Sequence, residues 1–151
     1  MLNSDYKDML QALLDNKVKF ILVGAYAMGA HGYPRATGDI DIWVEPSVDN
    51  SRRVYRSLVA FGAPLHEIEI NEATFTKPGI AFQIGAAPRR IDIITAISGV
   101  RFDDAYQNCQ VVEIEELPIP ILSRSDLIKN KRATGRDKDR IDADLLERQS
   151  S

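Results

Sequence analysis

Two aspartates stand two residues apart in an otherwise apolar segment of the chain. Asp39 and Asp41 lie in TGDIDIWVE, residues 37–45, where three β-branched residues alternate with the other positions. This period of two predicts a half-buried β-strand, so both carboxylates project from one face, about 7 Å apart. Carboxylates at that spacing repel each other unless water, protons or cations neutralise them. Placing both carboxylates in this segment therefore costs electrostatic free energy, which water, protons or cations must offset.

A third aspartate occupies a similar position in a second apolar segment. Asp92 lies in RRIDIIT and projects away from the face that Ile91 and Ile93 share. If the two segments pair with all three carboxylates on one face, a divalent cation would neutralise them. Mg²⁺ prefers oxygen ligands and commonly uses one or two carboxylates plus substrate phosphates, and paired ions support in-line displacement. The register of the strands is not fixed by the sequence, so a wet acidic face without a metal is the alternative.

A glycine at the end of an apolar strand indicates a second kind of site. FILVG, residues 20–24, predicts a short buried strand that ends at Gly24, and AYAMGAHG predicts a helix behind it. A helix N-terminus offers unpaired N–H groups and a positive dipole end to a phosphate. Gly24 also lets the backbone approach a ligand closely. An ordinary strand-to-helix turn is the alternative interpretation.

The remaining pattern predicts one α/β or α+β domain over residues 1–151. The 151 residues are 44% hydrophobic and 27% charged, the composition of a soluble globular protein, and a net charge of −3 gives no global attraction for nucleic acid. Ser4 and Ser47 are predicted N-caps of two helices, and Gly62 fits the end of the second. Later segments predict β-structure over 73–97, an extended stretch over 109–122, and a helical C-terminus over about 123–148 that is interrupted at Gly135.

Cellular context is predicted only from what the sequence lacks. No secretory signal is visible, and the longest apolar run, residues 20–30, is too short to span a bilayer. We therefore expect a cytoplasmic protein with no membrane partner. The single cysteine, Cys109, is interpreted as a small half-buried thiol. His31 is interpreted as a helix-end residue, with proton transfer as the alternative.

The combination of these motifs resembles the polymerase-β-like nucleotidyltransferase superfamily. That signature is a hydrophobic strand ending in Gly-Gly or Gly-Ser, a spacer, and Asp-hydrophobic-Asp; here Gly24-Ala25 and Asp39-Ile40-Asp41 are separated by thirteen residues. The segment looks especially like small prokaryotic nucleotidyltransferases of the abortive-infection and toxin–antitoxin type. Further matching positions are His31-Gly32, Arg35-Ala36-Thr37, and the C-terminal Lys129, Arg136, Lys138, Asp139 and Asp142.

The resemblance implies a nucleotidyltransferase fold, a small mixed β-sheet flanked by helices, and a Mg²⁺- or Mn²⁺-dependent enzyme. Such an enzyme would move a nucleoside monophosphate from an NTP to an acceptor hydroxyl or phosphate and release pyrophosphate. Asp92 would ligate a metal or act as general base. The implied metal-binding and catalytic residues are Asp39, Asp41 and Asp92, and the implied nucleotide-binding residues are Gly24, Ala25, Arg35, Thr37 and Lys129.

The acceptor is left open among an RNA end, a protein side chain and a small molecule. Part of the acceptor site is expected from a second copy of the chain or from a cognate protein partner. Ala25 stands where the family more often has glycine or serine. That departure favours one alternative, a catalytically degenerate nucleotide-sensing or protein-binding module of a toxin–antitoxin pair. A structural domain whose acids hold a cation without chemistry is another.

Overall fold

Six strands form one mixed sheet in the computed structural model, which describes residues 2–34, 38–65, 69–86 and 88–148. The sheet has the order β3-β4-β2-β1-β6-β5. The pairs β2–β4 and β1–β6 are parallel, and the other neighbours are antiparallel. The strands are β1 (Phe20–Val23), β2 (Ile40–Val44), β3 (Ala81–Ile84), β4 (Ile91–Ile94), β5 (Gln110–Ile114) and β6 (Leu117–Ile121).

Three of the helices begin after residues whose side chains accept a hydrogen bond from a free N–H group of the first turn, namely Asn3, Ser47 and Ser123. Asn3, rather than the predicted Ser4, accepts a hydrogen bond from the Tyr6 N–H and caps the first helix. Ser47 caps the third as predicted, and Gly62 ends it in the left-handed conformation. The helices are α1 (Ser4–Asp15), α2 (Gly24–Ala30), α3 (Val48–Phe61), α4 (Phe102–Asn108), α5 (Arg124–Ala133) and α6 (Asp137–Arg148).

The alternation in β2 separates an apolar face from the face that carries Asp41. Ile40, Ile42 and Val44 are fully buried, and they belong to one core cluster together with apolar residues of α1 and α3. Because successive strand residues point to opposite faces, Asp41 lies on the other side of the sheet with Trp43. Phe102 of α4 packs edge-on against Trp43, with the ring centroids 5.1 Å apart. The core thus fixes which face the carboxylate occupies.

Two segments differ from the sequence-based expectation. The first part of the predicted β-rich region, residues 73–77, forms turns, because side chains of Asn71, Thr74 and Thr76 hydrogen-bond to nearby backbone. Such local bonds compete with sheet pairing. Helix α4 was not predicted. Within the described residues, no helix has the length and apolar character needed to cross a membrane.

Tyr6 ties α1 to the segments that lead into both acidic strands. Its side chain is buried, and its hydroxyl donates to the carbonyl oxygen of Gly38, just before β2. The same hydroxyl lies 3.3 Å from the carbonyl oxygen of Arg90, just before β4. Burial and the nearby charges of Tyr26 and Asp39 raise the pKa of Tyr6 to about 12, so the hydroxyl keeps its proton. One neutral donor therefore links the starts of β2 and β4.

Removing this hydroxyl is expected to destabilise the fold. The variant Tyr6→Phe leaves the half-buried Gly38 carbonyl without its donor, which costs about 1 kcal/mol of unfolding free energy. Urea denaturation measures the loss. Tyr55→Phe is the matched control, since the half-buried Tyr55 hydroxyl forms no hydrogen bond among the described residues. Equal stability of the two variants would contradict the proposed link.

Candidate active site

The three predicted aspartates converge at one end of the paired strands β2 and β4. The parallel register places Asp41 directly opposite Asp92. Asp39 immediately precedes β2, and its Oδ1 accepts a hydrogen bond of 2.9 Å from the backbone N–H of Arg90. The spatial convergence on which the metal hypothesis depended is therefore present in the fold.

Arg90 is the cation that faces this acidic group. Its Nε and Nη2 donate to the two carboxylate oxygens of Asp92 at 2.7 and 3.2 Å, a bidentate arrangement. Nη2 also lies 3.5 Å from Oδ2 of Asp39. The Asp92 side chain is only 10% exposed, so water contributes little to its neutralisation. One guanidinium thus forms ion pairs with two of the three carboxylates.

Arg90 neutralises only part of the negative charge of the three aspartates, and the pKa of Asp41 remains raised. Burial, a hydrogen bond shared with Asp92, and the charges of Asp92 and Asp39 raise the pKa of Asp41 to about 6. Arg90 opposes this shift without cancelling it. Ionising Asp41 at neutral pH therefore costs free energy, which a divalent cation bound by the same oxygens would recover.

Gly24 is required by the close approach of the backbone to Asp41. The strand register pairs Val23 with Asp41, and the chain turns into α2 at the next residue with a φ of 66°. A Cβ added at Gly24 would overlap Oδ2 of Asp41. Ala25 follows in the first turn of α2 and lines the same cavity. Of the motif positions 24 and 25, it is therefore position 24 that requires glycine.

A second wall of this cavity comes from the ends of α5 and α6. Lys131 bridges Asp139 and Asp142, with Nζ–O distances of 3.2 and 3.0 Å. Asp139 also accepts from Thr134 and Arg136, each at 2.7 Å. Although burial opposes the effect, the hydrogen bonds from Thr134 and Lys131 hold the pKa of Asp139 below its usual value. This wall is a network of ion pairs and hydrogen bonds that closes the α5–α6 turn.

The two walls enclose a cavity of about 580 Å³ with an uneven distribution of charge. The sheet wall carries three carboxylates and one cation, and the helical wall carries two carboxylates and three cations. The cavity therefore offers a negative side and a positive side to one ligand. Its lining residues are Gly24, Ala25, Met28, Asp39, Asp41, Arg90, Asp92, Lys131, Arg136, Lys138, Asp139 and Asp142.

The structure separates Lys129 from the predicted site. Lys129 lines a different cavity of about 470 Å³ beside α4, and Lys131 faces the aspartates instead. Residues two apart on a helix point about 200° away from each other, so only one of the two lysines can face the sheet. Arg35 and Thr37, the other predicted phosphate ligands, lie outside the described residues.

Arg90 and Lys131 were not predicted as site residues, although the residues next to each of them in the sequence indicated that it could face the site. Arg90 precedes Asp92 by two residues in RRID, the spacing that puts both on one face of an extended segment. Lys131 belongs to the same KNK segment as Lys129. His31 does not line the cavity; its Nε2 donates to the Leu122 carbonyl oxygen at 2.8 Å, which agrees with a structural role.

The carboxylate oxygens of this site suit a hard divalent cation. Among the described residues, no group of three or more carboxylate, histidine or cysteine side chains is already arranged around a metal position. Asp41 and Asp92 are register partners on adjacent parallel strands, so their side chains project from the same face of the sheet. Two carboxylates plus substrate phosphates are a common Mg²⁺ ligand set. The residues present therefore fit Mg²⁺ or Mn²⁺, with Asp41 and Asp92 as the central pair.

No protein-family model and no curated protein matches the chain. Among solved structures, it is similar to the crystal structure of a "putative nucleotidyltransferase" from Thermotoga maritima, with a TM-score of 0.57 and 17% sequence identity. The similarity covers 99% of this chain and 94% of that chain. At this identity the likeness concerns the fold, and the predicted α/β fold class with a mixed sheet flanked by helices is confirmed.

Proposed function

We propose that this chain is a metal-dependent nucleotidyltransferase that transfers a nucleoside monophosphate from an NTP to an acceptor hydroxyl or phosphate. The observation that carries the proposal is the pairing of Asp41 with Asp92 on adjacent parallel strands, beside Asp39. These carboxylates lie on one wall of a cavity whose other wall carries three cations. A metal–triphosphate has the complementary distribution of charge.

The acidic wall would hold the metal and receive the acceptor. Asp39, Asp41 and Asp92 would hold Mg²⁺ or Mn²⁺, and the ion would supply charge neutralisation and activation of an attacking oxygen. The acceptor oxygen attacks the α-phosphorus, the bond between that phosphorus and the bridging oxygen breaks, and pyrophosphate leaves. Alternatively, Asp92 would take the proton of an acceptor hydroxyl instead of ligating the metal, which is the other role that the sequence resemblance allows.

The opposite wall would hold the leaving pyrophosphate. Lys131, Arg136 and Lys138 supply positive charge there, and Lys131 takes the role that the sequence resemblance gave to Lys129. Gly24 and Ala25 would contribute backbone N–H groups from the turn into α2. Arg35 and Thr37 stay predicted phosphate ligands.

The acceptor class, the partners and the location stay predictions. An RNA end, a protein side chain and a small molecule each carry a suitable hydroxyl or phosphate, and a second copy or a cognate partner would complete the acceptor site. A toxin–antitoxin role stays an expectation from the sequence resemblance, and a cytoplasmic location stays the expectation given in the sequence analysis. The assay below separates the acceptor classes.

A nucleotide-sensing module is the second candidate function. Two observations favour it: Ala25 replaces the usual glycine or serine of the motif, and Arg90 already occupies oxygens of Asp39 and Asp92. Such a module would bind NTP without transferring any part of it.

A labelling assay tests the two candidates directly. The protein is incubated with α-labelled NTPs, Mg²⁺ or Mn²⁺, and total cellular RNA, protein or small-molecule extract. The double variant Asp39→Asn/Asp41→Asn should lower transfer by about a hundredfold or more, because the metal supplies several kcal/mol of transition-state stabilisation.

Asp103→Asn/Asp104→Asn is the matched control, since it removes two exposed acids from the first turn of α4. Wild-type protein and this control are expected to transfer label equally. NTP binding without transfer would support the sensor. Cation binding without nucleotide would support a structural metal domain.

A further inference from the structure

Arg90 binds the same carboxylate oxygens that a metal would need. Its guanidinium contacts both oxygens of Asp92, at 2.7 and 3.2 Å, and Oδ2 of Asp39, at 3.5 Å. Its backbone N–H engages the remaining Oδ1 of Asp39. All four oxygens of these two side chains therefore face donors of one residue, and Asp41 alone receives no contact from Arg90 within hydrogen-bond distance.

A guanidinium and a divalent cation compete for these oxygens, because each of the four already faces a donor of Arg90. Arginine keeps its charge at all physiological pH values, and its planar fork matches a carboxylate in two parallel bonds. Mg²⁺ and Mn²⁺ require direct oxygen ligands at short distances. Two cations that compete for one set of anions repel each other as well. Metal binding at Asp39 and Asp92 therefore favours release of the Arg90 side chain.

The displaced side chain has a destination in the same cavity. Arg90 lines the cavity together with Gly24 and Ala25, and 31% of its side chain is exposed, so it has room to swing. A phosphate offers the guanidinium the same bidentate geometry as the carboxylate it leaves. On the helical wall, Lys131 and Arg136 are already engaged by buried Asp139, which limits their movement.

We propose that Arg90 is an exchangeable counter-cation, which neutralises Asp39 and Asp92 in the metal-free protein and transfers to the nucleotide phosphates when a divalent ion binds. This inference rests on the proposed function, because it assumes a metal at the aspartates. Arg90 then opposes metal binding in the absence of nucleotide and favours nucleotide binding in the presence of metal. Since coupling between two ligands is reciprocal, metal and nucleotide bind cooperatively.

Arg90→Met tests both halves of the proposal with one substitution. Methionine keeps much of the side-chain length, removes the charge, and adds no oxygen that could ligate a metal. Mn²⁺ affinity without nucleotide, measured by electron paramagnetic resonance, is expected to become about tenfold tighter, because the competing cation is gone. Affinity for a non-hydrolysable ATP analogue at saturating Mn²⁺, measured by calorimetry, is expected to become about tenfold weaker.

The neighbouring arginine provides the matched control. Arg89→Met removes the same charge from an exposed side chain that does not line the cavity, and both affinities should stay within about twofold of wild type. Arg90→Lys keeps the charge but lacks the bidentate fork, so its values should lie between those of wild type and Arg90→Met. Arg90→Lys also replaces Arg90→Met as the test variant if circular dichroism shows that Arg90→Met does not fold.

The opposite signs of the two shifts separate this role from a structural one, which would weaken both affinities. Unchanged or weaker Mn²⁺ binding by both Arg90 variants would overturn the counter-cation role. Tighter Mn²⁺ binding with unchanged nucleotide binding would overturn the transfer to phosphate. Failure of the wild type and every variant to bind Mn²⁺ would overturn the proposed function together with this inference.

Discussion

The variant Asp41→Asn is expected to stabilise the metal-free protein while abolishing nucleotidyl transfer. The pKa of Asp41 is raised to about 6 by burial, by its hydrogen bond with Asp92 and by the neighbouring negative charges. A raised carboxyl pKa means that the folded state holds its proton more tightly than the unfolded state does. The stabilising contribution is complete below the unfolded pKa of about 4 and is lost as the pH rises through about 6.

At pH 8 the wild type therefore carries an ionised, poorly neutralised Asp41, which costs about 3 kcal/mol of unfolding free energy. Asparagine carries no charge at that position and can donate a hydrogen bond to Asp92. We expect Asp41→Asn to be more stable than wild type by about that amount at pH 8, and we expect the difference to shrink towards zero at pH 4. Urea denaturation in the presence of a chelator measures both values.

Excess Mn²⁺ provides a second measurement on the same pair of proteins. A ligand that binds only the folded state stabilises it, so Mn²⁺ should raise the stability of the wild type more than that of the variant. Asp103→Asn, at an exposed position of α4, should show neither effect. A variant less stable than the wild type at pH 8 would contradict the electrostatic argument.

The variant Gly24→Ala is expected to lose both stability and transfer activity. Gly24 has a φ of 66°, which alanine adopts only with strain, and the added Cβ would overlap Oδ2 of Asp41. The strain costs about 1–3 kcal/mol, and relief of the overlap must move the carboxylate that faces Asp92. A displaced metal ligand should lower transfer by about a hundredfold, measured with the labelling assay.

Gly62→Ala separates backbone strain from the steric overlap. Gly62 has a φ of 90° at the end of α3, and a Cβ added there would meet no atom within 4 Å. This control should lose about 1 kcal/mol of stability and keep its transfer activity. Equal activity of the two alanine variants would show that the backbone at Gly24 does not position Asp41.

Secondary structure could be predicted from the sequence wherever the residues that determine it lie within a few positions of one another. The alternation around Asp39 and Asp41 predicted β2 and its two faces, because the strand period is a property of the backbone alone. Ser47 and Gly62 likewise predicted the beginning and the end of α3, since caps act within one helical turn. The failure over 73–77 has a similarly local cause, namely turn-forming hydrogen bonds from Asn71, Thr74 and Thr76.

The sequence by itself determined that Asp39, Asp41 and Asp92 lie in or beside apolar strands and that Gly24 ends another apolar strand. Only the tertiary structure decided that Asp92 pairs with Asp41, that Lys131 rather than Lys129 faces them, and that Arg90 lies across two of the three carboxylates. Strand register and helix rotation are set by packing between segments distant in sequence, and a one-residue change in either would exchange the residues that face the cavity.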